Sequence, residues 1–152
     1  MGKKEVFCVA TDALVKIVTE DPACIPLRKF FDRQAHVVTT RQCYEKAFSI
    51  FAQDYVVKRD ARIKFEQYFE NVDVVQVDSD AEAMRDLSGK YSLDASDASL
   101  IAAVKQSMAS GRGNSAEYFL VTSEKELIQA AREESIKFHD YTEQEFCAKY
   151  GS

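Results

Sequence analysis

The segment YFLVTSEKELIQAAREE, residues 118–134, decides the fold class. Its first five residues, Tyr118 to Thr122, are aromatic and β-branched, as a buried strand requires. Lys125 to Glu134 then reads as a helix, and Ile136 to His139 as a further strand. Strand, short turn, helix and strand make a unit whose two strands lie parallel in one sheet.

The same alternation extends upstream. Glu5 to Ala10 reads as a strand, followed by a helix that Thr11 or Asp12 caps and that runs to about Glu20, where Asp21-Pro22 stops it. Pro26 opens a short helix to about Gln34, and Ala35 to Thr39 forms a second strand. Thr40 caps a helix over residues 41–54, with Tyr44, Phe48 and Phe51 at helical spacing. Another helix covers residues 60–70, in which Phe65, Tyr68 and Phe69 are expected mainly in the core. A third strand spans Val72 to Val77, and a helix from Ser79 and Asp80 reaches Leu87 before Ser88-Gly89 closes it. A long helix covers residues 94–109, and the loop 110–115 (SGRGNS) leads into the opening segment. Thr142 and Glu145 make a capping box for a last helix into Tyr150. The expectation is a single α/β domain over 1–152, with a parallel sheet covered by helices on both faces.

Composition narrows the function classes. No apolar run approaches the ~20 residues that span a bilayer, and Val6 to Ala10 is too short for a secretory leader, so a cytoplasmic protein is expected. The net charge of −5 disfavours nucleic-acid binding through bulk charge, while leaving room for a local basic patch. Cys8, Cys24, Cys43 and Cys147 lack the close pairing of a zinc site and read as buried thiols; His36 and His139 read as structural. Gly111 and Gly113 precede a strand, so they cannot form the phosphate loop of a nucleotide switch.

Acidic residues recur near strand ends, where open α/β sheets gather their functional groups. Asp12 follows the first strand, Glu45 lies one turn into the helix after the second, Asp94 and Asp97 open the long helix, and Glu124 follows the fourth strand. Convergent carboxylates repel unless a cation neutralises them, and oxygen ligands suit Mg²⁺. The alternative is helix capping, because Asp12, Asp94, Asp97 and Glu124 all lie near helix N-termini.

These segments resemble motifs of the PIN-domain family. Leu93-Asp94-Ala95-Ser96-Asp97-Ala98-Ser99-Leu100-Ile101-Ala102-Ala103 is similar to its central Asp-Ala helix start, and residues 119–131 to its strand–Thr-x-Asp–helix motif. Val38-Thr39-Thr40 with Glu45, and Val9 to Val15, resemble its helical-Glu segment and first strand. The likeness spans about residues 5–140 and implies a sheet of four or five strands ordered 3-2-1-4-5. It also implies Mg²⁺- or Mn²⁺-dependent cleavage of RNA, as in the toxin ribonucleases of toxin–antitoxin pairs. Asp12, Glu45, Asp97 and Glu124 would then be catalytic, holding the metal together with Asp94. An antitoxin-like protein and a second copy of the chain are the partners such toxins commonly have. Two positions depart from the pattern: Ala10 stands where the first-strand Asp is expected, and Glu124 replaces the last Asp.

Two functions are compatible with these residues. In the first, the chain is a metal-dependent ribonuclease in which Arg41, Lys46, Lys58, Arg59, Arg62 and Lys64 contact phosphate, and Thr11 or Ser123 orients water. In the second, motivated by Ala10, it is a catalytically impaired PIN domain that binds RNA or protein. The basic residues otherwise form an ordinary solvated helix face.

Overall fold

The computed structural model describes residues 4–18, 25–34, 36–78, 81–110 and 116–150. Five strands, β1 (Lys4–Val9), β2 (Val37–Thr40), β3 (Asp73–Val75), β4 (Ala116–Val121) and β5 (Lys137–His139), form one all-parallel sheet ordered β3-β2-β1-β4-β5. Eight helices among the described residues cover it: α1 (Thr11–Val18), α2 (Ile25–Arg33), α3 (Arg41–Phe51), α4 (Lys58–Tyr68), α5 (Glu82–Tyr91), α6 (Ala95–Ala109), α7 (Lys125–Glu133) and α8 (Gln144–Tyr150). The fold class and strand order are those expected from the sequence.

The pleat separates two cores. Phe7 of β1 stacks on Phe119 of β4 and meets Phe30 of α2 edge-on, and Phe30 in turn packs against Phe146 and Tyr150 of α8. Beside that group, Phe65 of α4 gathers Tyr44, Phe48, Phe51 and Phe69. On the other face α6 buries Leu100, Ile101 and Val104 completely or nearly so, and α7 buries Leu127, Ala130 and Ala131. Phe65 and Phe69 are core residues as expected, whereas Tyr68 is partly exposed. His139 lies within the aromatic group, and its burial lowers its basicity. His36 is exposed. Cys8 and Cys43 are buried, with burial pushing the Cys8 thiol up to about 12, and Cys147 is half-buried. Among the described residues no helix is long and apolar enough to cross a membrane.

Several element ends differ from the sequence reading, each for a physical reason. The Ala10 carbonyl accepts the first helical bond of α1 from Leu14 N (3.0 Å), so Thr11 and Asp12 lie inside the first turn and neither is the cap. After α3 stops at Phe51, residues 52–54 tighten into a 3-10 turn. Helix α5 continues through Ser88-Gly89 to Tyr91 because Met84, Leu87 and Tyr91 form one buried row. That row outweighs the ~1 kcal/mol an interior glycine costs, and Ser92 closes the helix in the left-handed region at φ 57°. Thr142 does not cap α8: its hydroxyl donates to Asp140 Oδ1 at 2.6 Å. The expected end of the first helix at Glu20, its stop at Asp21-Pro22, Cys24, Ala35, the start at Ser79-Asp80 and the loop residues 111–115 lie outside the described residues.

Candidate functional site

The sheet order reverses at β1, which has β2 on one side and β4 on the other. Ligand crevices of open α/β sheets form at such a switch point, outside the carboxyl ends of the strands. The ends are level here: Ala10 N donates to the Val121 carbonyl (3.1 Å) and Thr122 N to the His139 carbonyl (3.1 Å). Buried hydroxyls bind the flanking elements together. Thr39 Oγ1 donates to the Val9 carbonyl (2.8 Å), and Thr40 Oγ1 shares a 2.6 Å hydrogen bond with Ser99 Oγ of α6. Thr40 also caps α3 as expected, accepting from Cys43 N. The Cys43 thiol donates to the Ser96 carbonyl at 3.2 Å, which fixes α3 against the start of α6.

Above this corner lies an open recess of about 290 Å³, lined by Asp12, Asp94, Asp97, Glu124, Thr11, Val15, Lys16, Lys46 and Ile50. Four of the five carboxylates nominated from sequence therefore meet. Larger clefts of about 680 and 780 Å³ flank α6, and neither is lined by any of the nominated acids.

The four acids have different surroundings. Asp12 is fully engaged. Its Oδ1 accepts from Thr122 Oγ1 (2.8 Å), and its Oδ2 from Ser123 N (2.9 Å), Tyr141 Oη (2.7 Å) and Ser123 Oγ (3.2 Å). Thr122 Oγ1 accepts in turn from Glu124 N (3.0 Å), so one set of bonds holds α1, the β4–α7 turn and the segment after β5. Asp94 is the cap of α6. Its Oδ1 takes Asp97 N (2.9 Å) and Ser96 Oγ (2.8 Å), while Oδ2 is paired with the Lys46 ammonium. Burial alone would raise the Asp94 carboxyl, but Lys46 and the two α6 donors outweigh it and hold the group below its ordinary value.

Asp97 lies in the first turn of α6, mostly buried. Burial first, then the charges of Asp94 and Asp12, push its carboxyl up to about 7. Glu124 stands exposed at the rim, and its side chain makes no capping bond to α7. Partial desolvation and the Asp12 charge raise its carboxyl as well. Burial is the first cause of both shifts, and the neighbouring carboxylates add to it against the pull of Lys46. Thr11 is buried at the floor beside the Cys43 thiol, and its Oγ1 makes no hydrogen bond of normal geometry.

Glu45 does not join them. It turns toward α4, where Arg62 pairs with it at 2.7 Å and Arg41 approaches at 3.4 Å, and the Arg62 contact holds its carboxyl below the ordinary range. The Arg62 guanidinium also lies 3.8 Å from the centre of the Phe48 ring. Lys58 Nζ donates to the carbonyls of Ala52 (2.6 Å) and Tyr55 (3.1 Å). Of the cations nominated for phosphate, Arg41, Lys46, Lys58 and Arg62 are thus engaged within the chain. Arg59 and Lys64 are exposed and form no ion pair among the described residues. Tyr141, which completes the Asp12 cluster, has no signal in the sequence: it lies 129 residues away and only the fold brings it near.

Mg²⁺ demands near-octahedral oxygen ligation at ~2.0–2.1 Å. Ala10 offers no side-chain oxygen, Asp12 is hydrogen-bonded at both oxygens, Glu45 faces elsewhere and Asp94 holds Lys46. Among the described residues no group of three His, Cys, Asp or Glu is arranged to hold a metal ion. With Lys46 on Asp94 and Glu45 turned away, the described arrangement does not present a divalent cation with a ready set of ligands.

No protein-family model matches this chain, and no curated protein sequence does. Among solved structures, the crystal structure of PAE2754 from Pyrobaculum aerophilum is similar to it. That match has a TM-score of 0.60 and 16% identity, over 97% of this chain and 96% of that one. The likeness is one of fold.

Proposed function

We propose that this chain is a PIN-like domain that binds a basic segment of a partner protein at the carboxyl edge of its sheet, without cleaving RNA. One observation carries the reading: the recess at that edge is lined by four carboxylates against two lysines, Lys16 and the Lys46 already paired with Asp94. Asp97 is pushed up to about 7 and Glu124 is raised, both in a recess where, among the described residues, Lys46 and Lys16 bring the positive charge. A phosphodiester would add negative charge to this surplus, whereas a lysine or arginine side chain would relieve it. Ile50 lines the recess and is 39% exposed, offering apolar contact beside the acids. The net charge of −5 favours encounter with a basic partner in the same sense. An antitoxin-like protein and a second copy of the chain are two partners to be compared.

A second reading, a Mg²⁺- or Mn²⁺-dependent ribonuclease, is favoured by one specific observation. The two motif acids Asp97 and Glu124 share a recess with Asp94, and Lys46 reaches them on a half-exposed, flexible stem. Fluorescence anisotropy separates the readings, with a labelled arginine-rich peptide and a labelled single-stranded RNA as probes, each with and without Mn²⁺. The expected result is salt-sensitive peptide binding that weakens in Glu124→Gln, with the RNA left uncut. Mn²⁺-dependent RNA cleavage that disappears in Asp97→Asn would establish the second reading instead.

A further inference from the structure

We infer that Lys46 is a tethered cation, occupying within the acidic recess the place that a divalent metal ion would take. The inference rests on the proposed reading that the recess is not a metal site, and it names what makes it so. Successive residues of an α-helix point about 100° apart, so Glu45 and Lys46 cannot share a direction. In this chain Glu45 faces α4 and pairs with Arg62, which leaves Lys46 as the charged residue of α3 that lines the recess with Asp12, Asp94, Asp97 and Glu124.

The carboxylate that receives it is fixed. Asp94 Oδ1 is held by two donors of its own helix, Asp97 N and Ser96 Oγ, so its Oδ2 is aimed into the recess. The Lys46 ammonium is bound to that oxygen. The same positive charge acts on Asp97 and Glu124, drawing both down against the neighbouring acids. One ammonium supplies a single charge where a metal would bring two. Asp12 needs neither cation, since four donors already answer it.

Isothermal titration with Mn²⁺ tests this on the full chain, comparing the unaltered protein with Lys46→Met and Lys46→Arg. Lys46 is half exposed, and circular dichroism checks that the variants fold. The unaltered protein and Lys46→Arg are expected to bind Mn²⁺ weakly or not at all. Lys46→Met should bind it at least about tenfold more tightly, because a unit charge a few ångström from a dication has been removed. The gain should vanish in Lys46→Met combined with Asp94→Asn. Equal Mn²⁺ binding by all three proteins would overturn the inference, and so would Lys46→Met binding no better than the unaltered chain. Peptide binding is measured separately in chelator, so its loss beside a Mn²⁺ gain in Lys46→Met would strike the proposed function alone.

Discussion

Asp12 and Asp97 look into the same recess, yet one is answered by four hydrogen-bond donors and the other sits raised among like charges. The difference comes from what each neighbouring turn offers. The β4–α7 turn presents two hydroxyls and an amide, from Thr122 and Ser123, to Asp12. Asp97 meets Asp94, whose own donors come from α6, and its nearest compensating charge is the Lys46 already bound to Asp94. An acid near a helix start can thus be a structural keystone or an unbalanced charge, and the surrounding donors decide which.

The largest test of that contrast is Asp12→Ala. It leaves the Thr122, Ser123 and Tyr141 donors without their acceptor, and hydrogen bonds to a charged group contribute about 1.5–3 kcal/mol each before compensation by water. A loss of about 3 kcal/mol in urea unfolding is expected, and a loss under about 1 kcal/mol would show that the cluster does not hold the corner.

Asp97→Asn should act in the opposite direction. The native carboxyl titrates near 7 and the unfolded one near 3.8, so the folded state keeps a proton that the unfolded chain releases between those values. Stability therefore falls as pH rises through that window. The variant removes this slope and should be more stable than the unaltered chain at about pH 8, by about 1 kcal/mol once solvent screening is allowed for. The gain should shrink toward about pH 4, and urea midpoints at the two pH values would read it. A variant less stable than the unaltered chain under the alkaline condition would mean that Asp97 has a favourable partner after all.

Glu45→Gln is the smallest change. It loosens a partly exposed pair with Arg62, which is worth up to about 1 kcal/mol. Because Glu45 lies outside the recess, peptide anisotropy should not respond. A clear drop in peptide binding would show that the edge extends over α3 toward α4.

The fold was legible where local signals agreed with the global pattern. The strand expected over residues 118–122 is present as Ala116–Val121, Thr40 caps the helix beginning at Arg41, and alternation with crossover helices allowed few arrangements. Misreadings arose where a tertiary contact overruled a local signal. Gly89 lost to the buried row of Met84, Leu87 and Tyr91, and Thr142 lost to Asp140, which binds its hydroxyl. The recess was legible in the placement of Asp97 and Glu124, because strand ends locate it. The orientation of Glu45 was not. Adjacent helical positions differ by about 100°, and only the packed position of α4, which brings Arg62, decides whether residue 45 or 46 faces the acids. Tyr141 was out of reach for a simpler reason, since no local rule links it to residue 12.

That separation has a consequence for how the chain reaches its native state. The bond from Tyr141 to Asp12 closes a span of 129 residues, so its ordering cost is met only after the sheet is assembled. The cluster ties the central strand β1 to the β4–β5 side of the sheet. The Ser123 amide, which donates to Asp12, should exchange its hydrogen only as that corner opens, giving a single-residue clock for completion of the fold.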